Sequence, residues 1–221
     1  MTLRRIRIIA VREALAERGQ PDGLISAVTF VATMILVESL AVGPLAANQP
    51  AIAAALFWIA MAFAAILATS RSFERELEDD ALSAILALPG GRDAIYGGKV
   101  LALTALLALV AIVGGALSLV LLSLGVALPG HLLTVAIAGV LSLSPVMVLF
   151  VAIALRLRSR GALVPILVLP VLVPQLVAAT NGTAAAASGD AAGALAWAGL
   201  LVAFALVYWV LGFTIVPAAL E

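Results

Sequence analysis

Two isolated ionisable residues are the first candidates for chemistry in this 221-residue chain: Glu38, the one charged residue inside a long apolar run, and His131, the one histidine. A charge at membrane depth is costly, so Glu38 is a candidate for transport or proton handling. The structural alternatives are a side chain that reaches the interface or is protonated. His131 follows Pro129 and Gly130 beside an apolar run, which favours an interfacial position over a metal or haem ligand.

A glycine-rich segment at residues 90–100, GGRDAIYGGKV, superficially matches a phosphate-binding loop. That motif requires a glycine five residues before the glycine that precedes the lysine, and Ser or Thr after the lysine. These two positions hold Asp93 and Val100. The segment is therefore not a Walker A motif, and we interpret it as a turn that leads into the membrane.

The inventory also disfavours an enzyme. An intramembrane hydrolase needs a Ser or Asp paired with a His or a second Asp inside the spans, and the apolar runs contain no such pair. We predict a non-enzymatic chain that binds no cofactor or metal, with any ATP hydrolysed by a partner subunit. Cysteine is absent, so the redox compartment stays open.

The elements that must position these residues are membrane helices. The chain is 65% hydrophobic and 11% charged, unlike a soluble domain. A helix needs about 20 apolar residues to cross a hydrocarbon core of about 30 Å. Six such runs define an all-α polytopic membrane protein with one permease domain over residues 1–221. The predicted spans are 24–43, 51–70, 100–125, 132–155, 162–180 and 193–217.

All twelve Lys and Arg residues lie before the first run, between the second and third, or between the fourth and fifth. Basic residues in short loops are retained in the cytoplasm. We therefore expect a multi-pass protein of the bacterial inner membrane with both termini cytoplasmic. Membrane lipid is an expected partner, and no nucleic-acid partner is indicated.

Residues 2–19 form a predicted amphipathic helix on the cytoplasmic side, with Leu3, Ile6, Ala10 and Ala14 on one stripe. Its arginines favour the headgroup layer. Two compatible interpretations remain open. The segment is a basic anchor that sets topology, or it is an elbow helix with a packing role.

Residues 71–99 form the longest polar segment, a predicted cytoplasmic coupling loop. From Phe73 to Leu88, apolar residues recur every three or four positions and acids occupy the other positions, which predicts an amphipathic helix. Acids crowd its first half and complement the helix dipole. Pro89 and the two following glycines stop it.

The fifth span contains three helix-kink candidates, Pro165, Pro170 and Pro174, because proline removes a backbone donor. The Ala, Gly and Ser-rich residues 181–193 are interpreted as a flexible outer connection or a small re-entrant element. The dispersed tryptophans are interpreted as interfacial anchors or lipid contacts: Trp58, Trp197 and Trp209.

The segment ERELEDDALSAILALPGGRDAIYGGKV resembles the first cytoplasmic loop of ABC-2-type permeases. More narrowly, RSFERELEDDALSAILALP and LSLSPVMVLFVAIALRLRSRGALVPILVLPVLVPQLVAAT look like the CcmB family of cytochrome c maturation haem exporters, over about residues 2–217. Two departures limit the likeness. Glu38 stands where these relatives are apolar, and the chain lacks the Trp-rich, Asp-ending periplasmic motif of their haem-handling partners.

The resemblance implies a permease that pairs with a cytoplasmic ABC ATPase and other cytochrome c maturation membrane subunits, as a dimer or with a related subunit. It implies haem as cargo, through export or through release of a haem-loaded chaperone. The helix of residues 71–88 would dock on the ATPase. The predicted interface comprises Phe73, Glu74, Glu76, Leu77, Asp79, Asp80, Ala84, Ile85 and Leu88.

Two alternatives remain open at the level of the sequence. The first is an ABC-2 permease that exports a lipid, drug or glycan. The second, from another functional class, is a non-transporting scaffold that assembles other membrane subunits. A helix lying on the membrane with its acids solvated is the structural alternative to ATPase docking.

Overall fold

A computed structural model describes residues 2–43, 49–78, 91–154 and 160–219. In these ranges the chain forms seven α-helices: α1 (Thr2–Gly19), α2 (Asp22–Val42), α3 (Pro50–Glu78), α4 (Gly91–Leu121), α5 (Pro129–Ala154), α6 (Arg160–Ser188) and α7 (Ala191–Ala219). Helices α2 to α7 are each long and apolar enough to cross a membrane. The predicted all-α fold with six spans is confirmed.

Several helices extend beyond the apolar runs that predicted them. α3 continues through Arg71–Glu78, so this part of the predicted coupling helix is the end of a membrane helix; residues 79–90 lie outside the described residues. α4 begins at Gly91 rather than at Val100. Hydropathy marks the part of a helix that matches the lipid, whereas backbone hydrogen bonding continues into the polar interface.

Two sequence interpretations are wrong. Residues 91–100 are helical, so the segment is not a membrane-entry turn. α6 continues to Ser188 through most of the Ala-rich stretch predicted as a connection, because Ala is the best helix former. The helix also continues without a break through Pro165, Pro170 and Pro174. Their role as kink sites stays a prediction.

The bundle is built around α3 and α5. In their membrane-spanning windows 61% and 72% of residues are buried, against 22% in α2 and in α7. Trp58 of α3 lies over Gly139 of α5, where a Cβ atom would clash with the indole ring. Its Nε1 donates a hydrogen bond of 2.9 Å to Oγ1 of Thr183 on α6. Trp58 is a core residue, and its predicted lipid contact is wrong.

A second buried aromatic residue joins α4, α5 and α7. Tyr96 donates its hydroxyl to the carbonyl oxygen of Tyr208 at 2.7 Å and lies 3.3 Å from that of Pro145. Its ring packs edge-on against Trp209 and Phe213. Tyr96 thereby anchors the start of α4, the element that carries the adjoining site.

Candidate coupling site at the basic end of the bundle

The basic end of the bundle is the end where α1, the last turns of α3 and the first turns of α4 meet. There α1 packs on α4 through Ile6 and Ile9. Gly97 and Gly98 make this approach possible, since a Cβ atom on Gly98 would lie 2.5 Å from Cγ2 of Ile9. The glycines of the apparent phosphate loop therefore form a helix-packing surface.

The buried face of α1 differs from the predicted stripe. Ile6, Ile9 and Glu13 point inward, while Leu3 is 83% exposed. The spacing of three and four residues places an acid on the packing face. α1 therefore packs on the bundle, while its roles as an elbow helix or as a topology anchor stay predictions.

Glu13 lies at the centre of a buried polar cluster. Its Oε2 accepts a hydrogen bond of 3.0 Å from the Ser72 hydroxyl of α3 and lies 3.5 Å from Nζ of Lys99 on α4. Lys99 also donates to Ser72 at 2.9 Å, and Arg12 lies 2.9 Å from Oε1. Three helices thus share one set of charge-assisted hydrogen bonds.

The aromatic ring of Phe73 packs against Lys99 of this cluster. Its side chain is 1% exposed, and Nζ of Lys99 lies 4.2 Å from the ring centroid, in range for a cation–π contact. Phe73 was predicted to contact an ATPase. In this structure it is a core residue in contact with Lys99, and its contact with an ATPase stays a prediction.

A second polar link joins α1 to α2 and α3. Nη2 of Arg75 lies 3.1 Å from Oε2 of Glu17, and its Nη1 donates to the carbonyl oxygen of Gln20 at 3.2 Å. Oε1 of Glu17 accepts a hydrogen bond of 2.6 Å from the backbone N–H of Leu24. Glu17 therefore caps the first turn of α2 while it holds the end of α3.

Only part of the rest of the predicted ATPase interface lies within the described residues. Glu74 is exposed and pairs with Arg71 at 3.5 Å. Glu76 and Leu77 belong to the last turn of α3. The remaining predicted residues lie outside the described residues: Asp79, Asp80, Ala84, Ile85 and Leu88.

The polar cluster ties α3 and α4 to α1 near one end of each helix. The described chain leaves α3 at Glu78 and re-enters at Gly91; Ser72 lies six residues before Glu78, and Lys99 lies eight residues after Gly91. Packed, hydrogen-bonded helices shift as units. A displacement of the intervening segment would therefore move α1, α3 and α4 together.

Comparison with known proteins shows the family of this chain. Residues 4–221 match the family model described as CcmB protein. The chain belongs to the CcmB family. It is also 29% identical over 206 residues to heme exporter protein B of Pseudomonas aeruginosa, with 90% of each chain covered. The CcmB family therefore accounts for nearly the whole chain.

Three buried polar side chains of this CcmB-family chain lack a hydrogen-bond partner among the described residues: Oε2 of Glu38, Oγ of Ser118 and both amide atoms of Gln175. Glu38 is 8% exposed on the packed face of α2. A role in transport or proton handling, an interfacial position and protonation all stay predictions for this residue.

His131 lies in the first turn of α5, next to the start of the helix at Pro129. Its partial exposure at a helix end agrees with the interfacial interpretation. Among the described residues, no group of three His, Cys, Asp or Glu side chains could hold a metal ion. The geometry gives His131 no ligand partner within that part of the chain.

The residues of the candidate site that sequence reasoning missed are the acids of α1, Glu13 and Glu17, to which it assigned no role. The available signal was Glu13 itself, which continues the Ile6–Ile9 face at a spacing of four. Their partners on α3 and α4 lie 58 and more residues away, so only the tertiary structure shows the pairs.

Proposed function

We propose that this chain is the membrane-spanning permease subunit of an ABC transporter that serves c-type cytochrome biogenesis. Family membership and the relative named heme exporter support haem export as the activity. On this proposal the chain supplies the path or the gate, and a separate cytoplasmic ATPase hydrolyses ATP. Other maturation subunits and a second permease subunit complete the complex.

The observation that carries the coupling step is the polar junction of Glu13, Ser72 and Lys99. An ATPase docked on the predicted helix of residues 71–88 would contact the last turns of α3 and the segment that follows them. Because the ends of both helices are tied to α1, nucleotide-driven motion of that segment would reach the membrane helices as one displacement.

The substrate is tested by deletion. We expect a strain that lacks this chain to lose periplasmic c-type cytochromes, measured by haem staining and by reduced-minus-oxidised absorbance, and to regain them with the wild-type chain. Normal cytochrome levels in the deletion strain would contradict the proposal and favour export of a lipid, drug or glycan.

Assays of the purified complex distinguish haem transport from release of a haem-loaded chaperone and from a scaffold role. Haem uptake into inverted vesicles that carry the purified complex should require ATP hydrolysis. ATP-dependent release of a haem-loaded partner without uptake would assign the release activity. An intact complex that supports cytochrome assembly with a hydrolysis-deficient ATPase would identify a scaffold.

ATPase docking is tested with Leu77→Asp and Leu88→Asp. We expect each to reduce co-purification of the ATPase, because an acidic side chain replaces a predicted apolar contact. Val126→Asp is the matched control, since Val126 is exposed in the connection between α4 and α5 at the other end of the bundle. Full ATPase binding by both leucine variants would overturn this docking surface.

A further inference from the structure

A cavity of about 310 Å³ lies at the basic end of the bundle, lined by α1, α2, α3 and α4 and by Val148 of α5. It shares Phe73 with the predicted docking surface, but its lining residues on α4 are not part of that surface. Its volume falls at the lower end of the range of about 300–1,000 Å³ that is usual for small-molecule pockets. Neither the family match nor the coupling proposal assigns a role to it.

The cavity is amphipathic. One end of its lining is apolar and includes Leu103, Leu106 and Leu109 of α4. The other end, which we call the polar end, carries the charged side chains of Glu13, Glu17, Arg18, Arg75 and Lys99. A ligand that fits must combine a hydrocarbon part with a charged head.

The lining of the cavity extends along α4 by about the thickness of one leaflet. Lys99 at the polar end and Leu109 at the apolar end lie ten residues apart on this helix. At 1.5 Å per residue this is about 15 Å, half of a hydrocarbon core of about 30 Å. Leu109 is 53% exposed, so the apolar end is open to the outer surface of the bundle.

The outer face of α1 indicates that the polar end of the cavity lies at the level of the lipid headgroups. Besides the packed face, α1 exposes a second set of apolar residues, Leu3, Ile8, Val11 and Leu15, together with exposed arginines. A helix with these two features lies at the boundary between headgroups and acyl chains. The cavity beneath α1 is then continuous with the acyl region of the same leaflet.

The charges at the polar end of the cavity favour a ligand with an anionic head group. Three basic and two acidic residues line this end. Glu17 pairs with Arg75 and Glu13 lies within 3.5 Å of Lys99, so Arg18 carries the excess positive charge. We propose that this cavity binds one anionic phospholipid of the leaflet at the basic end, with an acyl chain against Leu103, Leu106 and Leu109 and its phosphate at Arg18.

The proposal is tested by native mass spectrometry of the full-length chain, exchanged into nanodiscs of phosphatidylglycerol or phosphatidylcholine and then released into mild detergent. We expect the wild type to retain one phosphatidylglycerol and Leu106→Trp, which fills the cavity, to lose it. Leu119→Trp is the control, because Leu119 is an exposed residue of α4 outside the cavity. Equal retention by the two tryptophan variants would overturn the site.

Arg18→Gln keeps the proposal testable if Leu106→Trp fails to fold, since Arg18 is exposed. One basic residue near an anionic surface is worth about 1 kcal/mol, so we expect about a fivefold loss of preference for phosphatidylglycerol over phosphatidylcholine. An unchanged preference would overturn the assignment of the head group.

Photolabelling locates the lipid. Phosphatidylglycerol with a diazirine on its acyl chain should label residues 102–109 more than residues 112–120 of the same helix. Uniform labelling along α4 would show ordinary annular lipid and overturn the proposal. Displacement of the label by haemin, but not by unlabelled phosphatidylglycerol, would identify a haem site and overturn it as well.

Discussion

Glu13 of α1 and Lys99 of α4 form a buried ion pair across helices, with Oε2 and Nζ 3.5 Å apart although the two residues are far apart in sequence. Their side chains are 7% and 2% exposed. The pair, with Ser72, makes the N-terminal helix part of the membrane bundle instead of a detached anchor. Its removal is therefore the most direct test of the junction.

Lys99→Met should destabilise the chain, because the buried Glu13 carboxylate loses one of its charged partners. The loss should be smaller than the about 3–5 kcal/mol expected when a buried charge loses its sole partner, since Glu13 keeps its contacts with Arg12 and Ser72. The double variant Glu13→Gln/Lys99→Met should recover much of this loss, since both charges are then removed. The measurement is unfolding by SDS titration in mixed micelles, followed by circular dichroism. Arg71→Ala is the control. It breaks an exposed pair with Glu74 that should contribute no more than about 1 kcal/mol.

Glu17→Ala should reduce stability more than Arg75→Ala. Both remove the ion pair; Arg75→Ala also removes an exposed hydrogen bond to the carbonyl oxygen of Gln20, whereas Glu17→Ala leaves the backbone N–H of Leu24 without its cap. A lost helix cap costs about 1 kcal/mol. Glu17→Gln should fall nearer to Arg75→Ala, because the amide oxygen still accepts from Leu24. Equal losses for Glu17→Ala and Arg75→Ala in the same titration would contradict the capping role.

Gly139→Ala should destabilise the bundle by about 1–3 kcal/mol, because the added methyl group must displace Trp58 from a packed core. Gly115→Ala should be tolerated, since nothing lies within 4 Å of its Cβ position and Ala is the better helix former. Fluorescence of the tryptophans during thermal unfolding reports both. A loss at position 115 as large as that at 139 would argue against the close contact.

Glu38→Met should stabilise the chain by about 1–3 kcal/mol, because it removes a buried acceptor that lacks a partner among the described residues. The same SDS titration measures the effect. Leu36→Met on the exposed side of α2 is the control and should change little. A large loss of stability in Glu38→Met would reveal a partner for the carboxyl group and restore Glu38 as a functional candidate.

His131→Ala should leave cytochrome levels unchanged in a rescue assay, because His131 lies at a partly exposed helix end without a ligand group among the described residues. The control is the wild-type chain expressed to the same level. A clear drop in periplasmic cytochrome with normal protein abundance would return His131 to the set of candidate ligands.

The sequence by itself determined the fold class and the number of spans. Both depend on summed properties, namely apolar runs of membrane length and the one-sided placement of twelve basic residues, which need no knowledge of contacts. Helix ends were less predictable, as the start of α4 at Gly91 and the continuation of α6 to Ser188 show. Hydropathy reports burial in lipid, and helical hydrogen bonding does not stop where hydropathy falls.

The tertiary structure alone decided which residues meet. Trp58 is a core residue, Gly98 admits Ile9, and Phe73 supports Lys99, none of which follows from local pattern. In a membrane bundle almost every helix is apolar all round, so periodicity hardly distinguishes faces that pack from faces that meet lipid. Two features decide which faces pack: close approach of helices at glycines, and the pairing of charges that are distant in sequence. The pair of Glu13 and Lys99 is an example of the second.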